Sequence, residues 1–468
     1  MMVRLNKQGY LYLVSGTIIL IGLIETFIGW CQILGFKPSL HVLYPATGTF
    51  YNPGPYACFI AVIIPLALYN VLNKRNPLFH WLSLTYLILS VSILPVLMSR
   101  TAWISTAVGM ILTAIGTGYI KKPGKKVILV SVAIGLLLLL LIAMIKPASA
   151  MGRIFLWLMG SAAICEDPLT GVGWSHVAGA LGRCQESYFS SHQDSMFSMV
   201  AGTPEYAFNE YLQIGIAFGI PVMFGVIILL VYSIYAAWKG GQYGISSAIV
   251  SLGIVCLASY PFQFSEFIIL GTLLLIAAIV SSDGRRLIRY GLGLCIMVIG
   301  VVSIVSTQKR IIRHKEWESE RFGYIYFFTN KDILYLDSIL AKQKDNPKFL
   351  FDYGKALRDL RYFEKSNDIL KRGEVVSSDP MFLNLMGRNY QDLGDIDQAE
   401  QYYRRSINRL PGRLYPYYLL GKLYADSSYG NRKKFDEVYL QAMKMEAKVM
   451  SPAIKEMREE LRKLKSKR

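Results

Sequence analysis

The chain has 468 residues, of which 53% are hydrophobic and only 18% charged, with a mean hydropathy of +0.35 and a formal net charge of +18. That apolar content excludes an ordinary soluble enzyme. The charge has two sources, because residues 1–308 hold 17 basic and 9 acidic groups while the tail beyond them holds 33 and 23.

Stretches of roughly 17 to 25 mostly apolar residues, long enough to cross ~30 Å of hydrocarbon, predict about nine spans. They lie near 10–34, 56–72, 79–98, 101–120, 127–145, 219–238, 245–260, 266–281 and 288–306. The expected fold is an all-α polytopic membrane domain over residues 1–307. With the N-terminus inside, one side gathers Lys7, Lys74, Lys121, Lys125, Lys239, Arg286 and Arg289 with their basic neighbours. The other side, before the tail, has only Lys37, Arg100, Lys146, Arg153 and Arg183. Basic residues are retained inside, so the 146–204 loop and everything after the last span are expected to face outward. No small-residue cleavage site follows the first span, which is read as retained.

In the outer corner between the third and fourth spans lies Ser99-Arg100-Thr101-Ala102-Trp103. Arg100 either snorkels to the interface beside Trp103 or grips a phosphate with its planar fork. In the large outer loop, Arg153 opens the stretch 152–165, read as a short amphipathic helix at the interface, with Phe155, Leu156, Leu158, Met159 and Ile164 on its apolar side. Asp167-Pro168-Leu169-Thr170-Gly171-Val172-Gly173-Trp174 follows, and the spans resume behind Asn209-Glu210-Tyr211-Leu212-Gln213 and Gly219-Ile220-Pro221. Two arginines on one side of a membrane suit a diphosphate, whose charge can occupy both.

After Gln308 the chain becomes polar and helix-rich. Gly354, Gly387 and Gly421 are spaced 33 and 34 apart, with Leu350, Leu383 and Tyr417 four positions earlier and Leu357, Tyr390 and Tyr424 three later. The pattern, clearest in Leu383, Met386, Gly387, Tyr390, Ala399, Tyr403 and Pro411, resembles the tetratricopeptide repeat. It implies a short α-solenoid of two to three repeats over 308–468 with a basic closing helix near 435–466, or else a plain helical bundle. Ser366 departs from the usual Ala. Such a tail implies a partner, for which membrane or other anionic lipid, anionic glycan or a protein is expected rather than nucleic acid.

Taken in order, the Arg100 phrase, Arg153 with its Asp167–Trp174 sequel, the Asn209–Gln213 phrase and the earlier Gly48-Thr49-Phe50-Tyr51-Asn52-Pro53 resemble the O-antigen ligase and polymerase superfamily over roughly residues 40–282. The resemblance implies a helical membrane enzyme at the periplasmic face of the bacterial inner membrane. Such an enzyme moves a glycan from undecaprenyl diphosphate to an acceptor hydroxyl on lipid A core, a growing polymer or a protein. It implies no cofactor and no metal. Arg100 and Arg153 would hold the diphosphate, with Arg183 as a third cation. Many members have His where this chain has Phe208, so the general base falls among Glu210, Glu205, His176, His192 and Asp194, with Glu210 preferred. Asn209, His192 and Glu266 are candidate acceptor contacts.

Glu25 and Glu266 are acids within spans, where charge is costly. Of six cysteines, Cys165 and Cys184 share the outer loop, where an oxidising compartment permits a disulfide; the others fall in spans. The competing class is a transporter or an envelope scaffold. A transporter predicts broken spans near mid-membrane, whereas the distinctive polar residues here gather at the outer side.

Overall fold

The computed structural model describes residues 7–74, 76–121, 124, 147–282, 286–321, 329–426, 429–445 and 451–466. Every regular element among them is helical. The first ten helices are α1 (Lys7–Ile33), α2 (Pro53–Asn73), α3 (Pro77–Leu97), α4 (Arg100–Gly116), α5 (Pro147–Glu166), α6 (Val177–Ser191), α7 (Glu210–Lys239), α8 (Tyr243–Ala258), α9 (Ser265–Ser281) and α10 (Arg286–Arg321). They fall into two compact units, one of Met1–Lys146, Phe208–Tyr211 and Val222–Arg310, the other of Pro147–Ala207, Leu212–Pro221 and Ile311–Arg468.

Among the described residues, α1, α2, α3, α5, α7 and the part of α10 from Ile288 are long and apolar enough to cross a membrane, while α8 and α9 are shorter apolar helices. The chain is a membrane protein. Several sequence boundaries shift. Helix α4 ends at Gly116 rather than near 120. Helix α5 runs 20 residues, longer than the interfacial 152–165 segment expected. The span expected at 127–145 lies outside the described residues. Helix α10 continues unbroken past Gln308, because the residues after it lose their apolar character without losing helix propensity.

In the first unit α2 is central. It is apolar all round, and Pro55 through Ala67 are buried by packing against α1, α3, α4 and α8. Asn52 caps it, accepting the Gly54 amide at 2.9 Å, and Pro53 occupies the first helical position, where no donor is needed. Inside α2, Pro65 withholds an amide from the helix, and close by the Tyr86 hydroxyl donates to the Ile60 carbonyl at 2.8 Å and Thr113 Oγ1 to the Pro65 carbonyl at 3.4 Å. A Cβ at Gly109 would lie 2.4 Å from both Pro65 Cγ and Ser251 Oγ, so α4 approaches α2 and α8 as closely as it does because that residue is glycine. Ser105 and Ser251 each donate to the other's carbonyl, at 3.1 and 2.9 Å.

The second unit joins α5 and α6 to the tail. There α10 ends with Trp317 buried against Phe349, its indole donating to Asp352 at 2.9 Å. The tail helices are α11 (Asn330–Gln343), α12 (Pro347–Asp359), α13 (Phe363–Val376), α14 (Met381–Asp392), α15 (Ile396–Arg409), α16 (Leu414–Ala425), α17 (Arg432–Lys444) and α18 (Pro452–Ser466). Helices α12 with α13, α14 with α15, and α16 with α17 pack as neighbours. The marker glycines sit at their closest approaches, since a Cβ would lie 2.6 Å from Leu370 at Gly354, 2.6 Å from Tyr403 at Gly387 and 2.5 Å from Leu461 at Gly421. The third contact is with α18, so the last unit does not repeat the first two. Ser366 hydrogen-bonds the Gly354 carbonyl at 2.7 Å and receives Asn389 Nδ2 at 2.8 Å, which satisfies its buried hydroxyl. The expected basic closing segment at 435–466 is two helices, with Pro452 opening the second.

Candidate functional site

In the first unit three short segments meet: the loop before α2, the turn between α8 and α9, and the start of α7. The loop is braced from α1. Glu25 accepts from Thr49 Oγ1 at 2.8 Å and the Thr49 amide at 3.3 Å, and Gln32 accepts the Thr47 and Gly48 amides, each at 2.9 Å. Glu25 therefore pairs internally, and the intramembrane acid has a structural task. Phe50 points inward against Phe59, Phe264 and Phe267, with centroids 5.2, 5.5 and 6.0 Å away. That anchor leaves Asn52 Nδ2 3.5 Å from the Tyr260 hydroxyl.

Phe208 has a φ of 51°, a left-handed conformation uncommon for a bulky residue. Its ring meets Tyr260 edge-on at 4.9 Å. Asn209 then caps α7, its Oδ1 accepting the Tyr211 amide at 3.0 Å, and Tyr211 donates to the Gly253 carbonyl at 3.2 Å. Glu210 is buried. Its Oε1 accepts the Phe262 amide at 2.8 Å, and Oε2 has no hydrogen-bond partner among the described residues. A carboxylate oriented by one backbone amide, with its second oxygen free to accept a proton, has the form of a general base. It lies at the N-terminus of α7, where the helix dipole favours an anion.

Arg100 is the first residue of α4, whose N-cap is Ser99, and is half-buried. The neighbouring Trp103 indole donates to the Leu94 carbonyl at 3.1 Å. A guanidinium at a helix N-terminus adds its charge to the dipole's positive end and favours an anionic ligand. Glu266 occupies the first turn of α9. Beside it, Ser265 accepts Gln308 Nε2 at 2.6 Å.

Arg153, Arg183 and His192 belong to the second unit. Arg153 lies within α5 and is half-buried. Arg183 lies on α6, 3.8 Å from Glu166. His192 terminates α6, with its ring stacked on Tyr188 at 4.6 Å and its Nδ1 3.0 Å from both the Tyr188 carbonyl and Ser191 Oγ. His176 Nδ1 is 2.8 Å from the Val172 carbonyl. Cys165 and Cys184 are free, and Cys184 donates to Glu166 Oε1 at 3.4 Å.

Two of the sequence phrases are halves of one device. Helix α7 breaks at Gly219, where φ is 83° and ψ 170°. In an unbroken helix the Ile216 carbonyl would accept the amide of Ile220, and that of Ala217 the amide of residue 221. Instead Ile220 donates to the Pro168 carbonyl at 2.7 Å, and Pro221 has no amide to give. Val172 and Gly173 fill the two released carbonyls, each at 2.9 Å. Trp174 stacks on Phe218 at 6.0 Å.

Residues 84–227 match the O-Antigen ligase family model. No curated protein matches the chain. The ligase-family segment runs from α3 to the middle of α7 and holds Arg100, Arg153, Arg183, His192, Asn209 and Glu210. It supports a ligase- or polymerase-type transferase function and a lipid-linked glycan substrate in a membrane. Glu266, the 48–52 loop and the tail lie outside the match.

Reading the sequence alone passed over Asn52, Thr49 and Tyr260 as site residues. The signals were present in Tyr51-Asn52-Pro53, a helix cap followed by its first-turn proline, and in Tyr260-Pro261, a turn beside an apolar helix.

Proposed function

We propose that the chain transfers a glycan from undecaprenyl diphosphate to an acceptor hydroxyl at the periplasmic face of the bacterial inner membrane, with lipid A core as the acceptor. The single observation that carries the chemistry is Glu210, buried at a helix start and oriented by the Phe262 amide. The ligase-family match over the same residues supports the reaction class.

In this reading the acceptor oxygen attacks the anomeric carbon while its proton passes to Glu210 Oε2. The bond from that carbon to the diphosphate oxygen breaks, and the lipid diphosphate leaves. Arg100 and Arg153 neutralise the developing charge, which in a partly dehydrated site is a large share of catalysis. Asn209 and Glu266 are acceptor contacts, and Arg183 assists with the donor. The tail is a periplasmic tetratricopeptide-like solenoid. The buried carboxylate disfavours a pure scaffold, which has no use for an oriented base.

In a strain lacking this protein, lipid-linked glycan should accumulate. Wild type should clear it, and Arg100→Ala or Arg153→Ala should not. Full clearance by both variants would reduce the arginines to interface anchors and sink the transferase mechanism. Isolating the glycosylated product identifies the acceptor: a protein or a lengthened polymer would replace lipid A core.

A further inference from the structure

Helix α6, from the outer loop, is built into the tail. One face carries Gly179, Gly182 and Glu186, spaced three and four apart so that they align. A Cβ at Gly179 would lie 2.0 Å from the Val375 carbonyl oxygen, and one at Gly182 2.8 Å from Ser378 Cα, so α6 lies directly on the backbone at the end of α13. Ser378 donates to the Pro204 carbonyl at 2.8 Å. Gln185 Nε2 donates to the Arg409 carbonyl and, at 3.0 Å, to that of Gly202.

Four charges close this contact. Arg405 donates to Glu186 at 2.7 Å and also to Glu374; Arg409, fully buried, donates to Glu186 and to Glu374 at 2.9 Å. Two arginines and two glutamates neutralise one another, which offsets the cost of holding the Arg409 charge fully buried. Each arginine reaches both glutamates, so removing one leaves two part-buried acids sharing a single cation, and the cluster fixes the register of α6 on α13 and α15. Arg183 is three residues before Glu186 on α6 and shares an open cleft with Glu186, Ser187, Ser190, Arg405 and Asn408.

We propose that the tail is a positioning element of the transferase: the Glu186–Glu374–Arg405–Arg409 cluster locks the loop helix to the tail, and this lock sets where the loop presents Arg183 to the donor. The inference rests on the transferase reading above. It makes the loop helix itself the segment that this face of the tail holds. Glu186, Glu374, Arg405 and Arg409 are positioning residues acting through Arg183.

The test uses the full-length protein, with a lipid-diphosphate-linked glycan as donor. Arg409→Met should raise backbone hydrogen exchange over residues 177–191 by at least about tenfold, as expected for a buried charge cluster left unbalanced. It should raise the donor KM about tenfold or more, with the acceptor KM unchanged, because the loop would no longer be held in one register. Should Arg409→Met fail to accumulate, Glu186→Gln, which keeps the side chain's shape, takes its place. A loosened loop with an unchanged donor KM, while Arg100→Ala still lowers transfer about 10²-fold, would overturn the inference and leave the transferase standing. Absence of donor-dependent transfer by the wild-type protein would overturn the transferase reading and the inference with it.

Discussion

The Phe262 amide donates to Glu210 Oε1 across 2.8 Å, tying the turn before α9 to the first residue of α7. Because that bond uses one carboxylate oxygen, the two duties of Glu210 can be separated. Glu210→Gln keeps an oxygen for Phe262 and removes the base, so glycan transfer should fall by about 10²-fold or more with normal protein levels. Glu210→Ala removes both and should also lower the yield of folded protein. Transfer by Glu210→Gln at the wild-type rate would leave this residue a purely structural role.

Arg100 separates charge from geometry. Arg100→Lys keeps a cation at the start of α4 but loses the planar fork, and should retain part of the activity. Arg100→Ala should lose about 10²-fold, the usual effect of removing one donor aimed at developing charge. Turnover of lipid-linked donor in isolated membranes ranks the three proteins, and equal rates for Lys and Ala would argue against a bidentate grip.

Gly171 and Gly219 both have positive φ, 67° and 83°, and each meets the backbone just before the other, Gly171 at Ala217 and Phe218 and Gly219 at Pro168 and Leu169. A Cβ at Gly171 would lie 2.5 Å from the Ala217 carbonyl carbon, and one at Gly219 2.3 Å from the Leu169 oxygen. Either residue changed to Ala should destabilise the protein by about 1–3 kcal/mol, from left-handed strain and loss of the close approach. Thermal unfolding of purified protein measures this, and an unshifted midpoint would remove the device from the account.

Cys165 is exposed, whereas burial, with Glu166 beside it, pushes the Cys184 thiol up to about 12. The thiolate is the reactive form. At pH 8 a maleimide should therefore label Cys165 rapidly and Cys184 only after unfolding. Equal labelling of the folded protein would contradict the burial.

In the tail, burial alone would raise Glu400, but hydrogen bonds from Lys434, Arg404 and Tyr424 hold it down to about 2. A carboxylate with a depressed folded-state pKa stabilises the fold above its ordinary value of ~4.3, and that contribution disappears as pH falls toward 2. Acid unfolding of wild type should be steeper between about pH 4.5 and 2 than that of Glu400→Gln. Parallel curves would show that the pairing adds nothing.

The sequence by itself determined that this is an all-helical membrane chain with a polar helical tail, since apolar runs of span length and a repeat near 34 residues are written in local composition. It also marked Arg100, Arg153 and Glu210, because charges beside apolar runs stand out without any knowledge of contacts. Tertiary structure alone decided how the pieces are used. Gly219-Ile220-Pro221 and the Asp167–Trp174 phrase are some fifty residues apart, and only folding shows that one releases the carbonyls that the other fills. Glu186 and Arg409 are ordinary surface-type residues in sequence, separated by 223 positions. Their meeting, like that of Glu210 with Phe262, depends on packing between distant segments, which no local periodicity encodes.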